Sequence, residues 1–268
     1  MEKYLEEITK PFSAGQPRKE ALSRLLGLLD LTTLDGTDNP EKVNALCNKA
    51  LSFSANGFPS PAAVCVYPPF AALVSAKLSG SGIFTASVAG AFPSGQLPVH
   101  LKVAEADYAV AHGADEIDMV ISRGTFLAGD YNTIVDEVAA MKMACGNAHL
   151  KVILETGELV TPGNIRLASQ LAIEGGADFI KTSTGKMQPA ATPEAMAVML
   201  DAIKEHFENT GVKIGIKPAG GISTPEQALV YYALVSDKLG DEWLKKSLFR
   251  IGASRLADAI VNELSDDK

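Results

Sequence analysis

The 268-residue sequence predicts an α/β fold, a single (β/α)8 TIM barrel with an N-terminal helical extension. Three observations predict it. Eight short apolar stretches recur at starts mostly about thirty residues apart, the length of a βα unit. The segments between them carry helix signals. No low-complexity linker or shift in composition divides the chain, so 1–268 reads as one domain, with a lead-in over 1–23 and the barrel from about 24 to 262. An open doubly wound sheet would usually have fewer strands, and no GxGxxG follows the first stretch.

The strands read in order as LLDLTTL (28–34), AAVCVYP (62–68), IFTASVAG (83–90) and ADEIDMVIS (114–122). LKVILET (150–156), ADFIKTST (177–184), VKIGIKPAGG (212–221) and LFRIGAS (248–254) follow. DNPEKVNALCNKAL at 38–51 opens on a capping residue, a Pro in the first turn and an early Glu. TPEAMAVMLDAIKEHF at 192–207 and TPEQALVYYALVSDKLG at 224–240 repeat that formula, the second ending on a glycine stop. HGADE at 112–116 and GGADF at 175–179 read as helix ends turning into strands.

Composition narrows the function. The formal charge of −8 argues against nucleic-acid partners and anionic membranes, while leaving room for a local basic pocket. MEKYLEEITK carries no apolar signal-peptide core, and no uncharged run reaches the length of a membrane span. Three scattered cysteines (Cys47, Cys65, Cys145) fit a reducing cytoplasm. Neither they nor the four histidines form a metal-ligand pattern, so no metal and no other cofactor is expected.

Strand side chains alternate between two faces. One face carries Leu29, Leu31, Val64, Val66, Ile117, Met119, Val152, Ile180, Ile216 and Ile251, all apolar, as packing against helices requires. The other would carry Asp30, Thr32, Cys65, Thr85, Ser87, Asp118, Lys151, Lys181, Ser183, Lys217 and Arg250. Ordinary barrel interiors are layers of Val, Ile and Leu, and each buried charge needs a partner. An inert salt-bridge network is one reading of this face. The position of Asp118, Lys181 and Lys217 toward the C-terminal mouth favours chemistry.

Lys181 and Lys217 fall on consecutive strands, ~4.8 Å apart. Desolvation and like charge both disfavour protonation, so one amine should be held neutral, a nucleophile able to form a Schiff base with a carbonyl. Asp118 can balance charge and move protons, and Lys151 on the next strand is its expected ion-pair partner. Asp30 extends the network. Cys65 faces inward and reads as a small buried filler. Gly220–Gly221 after strand seven and Gly252–Ser254 after strand eight sit where this fold recurrently binds phosphate, and STGK at 183–186 adds Lys186. Together these suggest a phosphorylated carbonyl substrate and aldol-type chemistry. Another Schiff-base aldolase, a transaldolase and a non-catalytic sugar-phosphate-binding barrel are the rival readings.

The stretches LLDLTTL, CVYP, GADEIDMV, LKVILETGEL, GADFIKTSTGK, KPAGGI and IGAS resemble those of the deoxyribose-phosphate aldolases, class I aldolases with a TIM barrel. They run in the family's order from about residue 24 to 260. The resemblance implies that Lys181 is the Schiff-base lysine, Lys217 the second lysine that depresses its neighbour's pKa, and Asp118 the proton-transfer aspartate. It implies supporting roles for Asp30, Thr32 and Lys151, and a phosphate pocket of Gly185, Lys186, Gly220, Gly221, Gly252 and Ser254. It marks Cys65 as open to aldehyde adducts. The family reaction is reversible cleavage of 2-deoxy-D-ribose 5-phosphate to acetaldehyde and D-glyceraldehyde 3-phosphate, in deoxyribonucleotide catabolism in the cytoplasm. The partners implied are those small molecules; the sequence itself does not fix the oligomeric state and is compatible with a homodimer. The chain departs from better-known bacterial members at Ser223, where they carry Arg, and at Arg255, where they carry Ser.

Overall fold

The computed structural model describes residues 1–266; Asp267 and Lys268, the end of the expected unit, lie outside the described residues. Eight parallel strands run in the order β7-β6-β5-β4-β3-β2-β1-β8. They are β1 (Leu29–Thr32), β2 (Ala63–Val66), β3 (Phe84–Ala89), β4 (Glu116–Val120), β5 (His149–Ile153), β6 (Phe179–Lys181), β7 (Gly215–Lys217) and β8 (Ile251–Ala253). The seam between β7 and β8 is closed by isolated bridges, Ile216 to Phe249 and Ala219 to Gly252. The fold is therefore the expected (β/α)8 barrel, with helices outside and the helices Glu2–Thr9 and Gly15–Leu26 leading in. No helix among the described residues is long and apolar enough to cross a membrane.

The expected caps form. Asn39 accepts from the Lys42 amide at 2.9 Å and Thr192 from the Ala195 amide at 3.1 Å. Thr224 and Gln227 make a reciprocal capping box at the helix Pro225–Leu239. The lead-in is tied down by packing: Leu22, Leu25 and Leu26 are fully buried, and the Phe12 ring meets Tyr232 edge-on. Trp243 fills the base of the shell, donating its indole N–H to the Ile214 carbonyl at 3.0 Å. One contiguous apolar layer, which includes Leu29, Leu31, Val64, Val66, Ile117, Met119, Val152, Ile180, Ile216 and Ile251, joins strands to helices.

The register corrects one strand of the inward face. Cys65 pairs with Ala86, and Ala63 with Phe84, so β3 turns Phe84, Ala86 and Val88 inward. Thr85 and Ser87 face the helices. Ser87 can do so because its hydroxyl donates to the Val88 carbonyl at 3.1 Å and leaves no orphan donor. Cys65, Ala63, Ala86, Val88 and Leu34 form a small apolar wall inside the barrel. The opposite wall is charged. A glycine stands at 215 because a Cβ there would lie 2.3 Å from the Phe179 ring, which fills that level of the interior.

Candidate active site

Inside the strands, Lys151, Lys181, Lys217 and Arg250 stand against Asp30, Glu116 and Asp118. Every one is 3% exposed or less. The strand register explains the meeting: Asp118 pairs with Lys151 across β4 and β5, and Lys181 with Lys217 across β6 and β7. Asp118 accepts through the same oxygen, Oδ2, from Lys181 Nζ at 2.7 Å and Lys217 Nζ at 2.7 Å. Its Oδ1 accepts from Lys151 Nζ at 3.1 Å. Asp30 accepts from Lys217 at 2.5 Å and from Arg250 at 2.7 Å.

Glu116 is the member that sequence reasoning missed. It lies two residues before Asp118, so strand alternation already put it on the same face. In the structure it is fully buried, held by Lys151 and by two Arg250 nitrogens at 2.6 and 3.1 Å. Arg250 lies over the Phe84 and Phe179 rings, at 5.5 and 5.8 Å, and floors the charged interior.

The charges do not match if all are ionised: four cations face three carboxylates. Balance requires one neutral amine. Desolvation pushes Lys181 below the ordinary lysine range, Lys217 pushes it further, and the opposing pull of Asp118 does not restore it. Desolvation also acts on Lys217, but Asp118 and Asp30 outweigh it and hold that ammonium charged. Lys151 is raised in the same way by Asp118, Glu116 and Asp30. Asp118 resists its own desolvation because three lysines surround it, and its carboxyl falls well below the usual range. The Cys65 thiol is pushed up to about 11 by burial, so it is not a thiolate near neutral pH.

Above this network opens a cavity of about 600 Å3 at the C-terminal mouth of the barrel. Of the interior cations only Lys181 lines it; the others are sealed beneath. Thr32 lines it too, its hydroxyl donating to the Asp30 carbonyl at 2.9 Å. Gly185 and Lys186, Gly220 and Gly221, and Gly252 and Ser254 form its far wall, from the loops after β6, β7 and β8. The loop after β1 and the helix Pro40–Ala55 add Asp35, Lys42 and Lys49, which no sequence motif singles out. The cavity thus joins the buried Lys181 amine at its floor to small, amide-rich loops.

The loop after β6 is braced by Glu155, a buried residue in left-handed conformation (φ 56°), whose carboxylate accepts from the Thr184 amide and hydroxyl. The loop after β7 depends on Gly220 at φ 85°, where a Cβ would lie 2.7 Å from Ala190 and 2.9 Å from the Gly185 Cα. Both loops would have to part. Gly220→Ala is expected to destabilise the protein by about 1–3 kcal/mol. Denaturant unfolding measures this, and an unchanged midpoint would mean the two loops are not in close contact.

Comparison with known proteins agrees with this geometry. A family model described as DeoC/LacD family aldolase matches residues 24–241. A Caenorhabditis elegans relative is 51% identical over 247 residues, covering 90% of this chain and 80% of its own. The human deoxyribose-phosphate aldolase is 44% identical over 256 residues, covering 91% and 80%. The structure of the deoxyribose phosphate aldolase from Aeropyrum pernix superposes with a TM-score of 0.72 at 26% identity, over 98% of this chain and 97% of that one. In sequence over most of its length and in fold, the chain belongs to the deoxyribose-phosphate aldolase family.

Proposed function

We propose that the chain cleaves 2-deoxy-D-ribose 5-phosphate reversibly to acetaldehyde and D-glyceraldehyde 3-phosphate, in cytoplasmic deoxyribonucleotide catabolism, through a Schiff base on Lys181. The observation that carries this reading is the Lys181 amine at the cavity floor, 2.7 Å from an Asp118 oxygen that it shares with a second lysine, Lys217; burial and that neighbour push its pKa down. A neutral amine is competent to attack a carbonyl, and a charged neighbour cannot compete for it.

In the cleavage direction the Lys181 nitrogen bonds to C1 of the open-chain sugar, and the carbonyl oxygen leaves as water. The resulting iminium is the electron sink. Loss of the C3 hydroxyl proton forms the C3 carbonyl and breaks the C2–C3 bond, releasing glyceraldehyde 3-phosphate and leaving an enamine. The enamine carbon takes a proton, and water releases acetaldehyde. Asp118 stays ionised beside its lysines, so with a water and Lys217 it passes protons on rather than storing them. The low-pKa carboxylate also faces the nitrogen that becomes cationic in the iminium, where a fixed negative charge is most useful. The small-residue loops after β6, β7 and β8 take the phosphate.

The direct test is reduction with borohydride in the presence of acetaldehyde, followed by peptide mapping. A stable adduct on Lys181 is expected; an adduct elsewhere, or none, would refute the reading. The pH dependence follows from the same electrostatics. Activity rises as Lys181 deprotonates, so the acid limb of the rate profile reports its pKa. Lys217→Leu removes a positive charge that lowers that pKa, so the limb should move alkaline by about one unit or more. An unchanged limb would remove Lys217 from this role.

A further inference from the structure

The cavity carries five basic side chains, and four have carboxylate partners. Lys181 is bound to Asp118. Lys42 sits 2.7 Å from Asp35 and 2.6 Å from Asp38. Lys49 is 2.6 Å from Asp258, and Lys186 lies 3.5 Å from Asp35. Arg255 lines the same cavity, is exposed, and has no carboxylate partner among the described residues. We propose that Arg255 is the side chain that selects the phosphorylated substrate, its guanidinium taking two oxygens of the terminal phosphate.

This deepens the function proposed above and rests on it for the identity of the substrate. Four features support it. Arg255 directly follows Gly252–Ser254, so it stands on the loop that borders the cavity. The facing loop after β7 offers no competing cation: Ser223 lines the cavity, but its amide donates to Gln227 Oε1 at 2.8 Å and its hydroxyl lies 3.4 Å from the same oxygen. The paired lysines must give up a carboxylate before they can serve a phosphate fully, whereas Arg255 gives up only water. A planar guanidinium also matches phosphate in a two-point contact that an ammonium cannot make.

The test uses the whole protein and two readouts. Inorganic phosphate is titrated into wild type, Arg255→Ala and Arg255→Lys by calorimetry. Saturable binding by wild type is expected, weakened roughly tenfold to a hundredfold in Arg255→Ala and less in Arg255→Lys. Steady-state cleavage of 2-deoxyribose 5-phosphate and of 2-deoxyribose is then compared. In Arg255→Ala, KM for the phosphorylated sugar should rise by a similar factor, and the preference for it over the unphosphorylated sugar should fall in step. Equal phosphate affinity in wild type and Arg255→Ala, no saturable phosphate binding by wild type, or equal loss on both sugars would each overturn the assignment. The binding readout needs no turnover. A Lys181 adduct with phosphate affinity indifferent to Arg255 therefore sinks only the assignment of Arg255. Phosphate affinity that depends on Arg255, without any lysine adduct, upholds anion recognition and sinks the aldolase reading.

Discussion

Lys181→Leu is expected to lose at least roughly four orders of magnitude in turnover, as removal of a covalent nucleophile does, while melting close to wild type. The loss follows from position. Among the interior bases Lys181 alone reaches the cavity, and the other lysines that line it, Lys42, Lys49 and Lys186, are partly exposed and paired with carboxylates, so none offers a desolvated amine in its place. The tolerance follows from charge. Lys181 contributes nothing to the balance when it is neutral, and its removal then leaves Lys151, Lys217 and Arg250 against Asp30, Glu116 and Asp118. Asp118 keeps Lys217 at 2.7 Å and Lys151 at 3.1 Å. A leucine fills the vacated volume without bringing a polar atom that needs a partner. Turnover, intact mass after borohydride reduction with acetaldehyde, and thermal melting check the three parts. Activity within tenfold of wild type would end the Schiff-base assignment. A collapse in melting temperature would mean that Lys181 is charged in the resting protein and belongs to the ion network.

Much of this site could be read from alternation alone. Inward parity collected Asp30, Asp118, Lys151, Lys181, Lys217 and Arg250 from strands spread over 220 residues, because a buried β-strand has a strict period of two. Parity fails where both faces are buried and both carry small residues. In IFTASVAG, polarity points Thr85 and Ser87 inward, yet Ala86 and Val88 line the interior and the Ser87 hydroxyl is satisfied by the Val88 carbonyl. Glu116 was hidden for a different reason. Its neutralisation depends on Arg250, 134 residues away, and on the seam that brings β8 beside β1. Lys42 and Lys49 enter the cavity from a helix face, where a lysine looks like ordinary solvated surface. Arg255 follows a turn, where nothing local distinguishes a paired cation from a free one.

Arg250→Met is expected to destabilise the fold by about 3–5 kcal/mol, seen as a drop in Tm of roughly 10 °C. Methionine replaces much of the volume but none of the five-donor fork. Arg250 is 1% exposed and spans Asp30 at 2.7 Å and Glu116 at 2.6 Å. Without it, three buried carboxylates face only Lys151 and Lys217. The shortage is met most easily at Lys181, the amine poised to take a proton, so the acid limb of the rate profile should also move alkaline. Both effects come from one missing charge, and both should reverse when one carboxylate is removed as well. Glu116→Gln combined with Arg250→Met leaves Asp30 and Asp118 against Lys151 and Lys217, balanced again with Lys181 neutral. The double variant is therefore expected to melt above Arg250→Met and to regain most of the wild-type pH profile. Glu116→Gln alone strands part of the Arg250 fork and should itself be destabilising, so the cycle is strongly non-additive. If the two substitutions simply add, the interior charges act as separate pairs and do not set the protonation of Lys181 together.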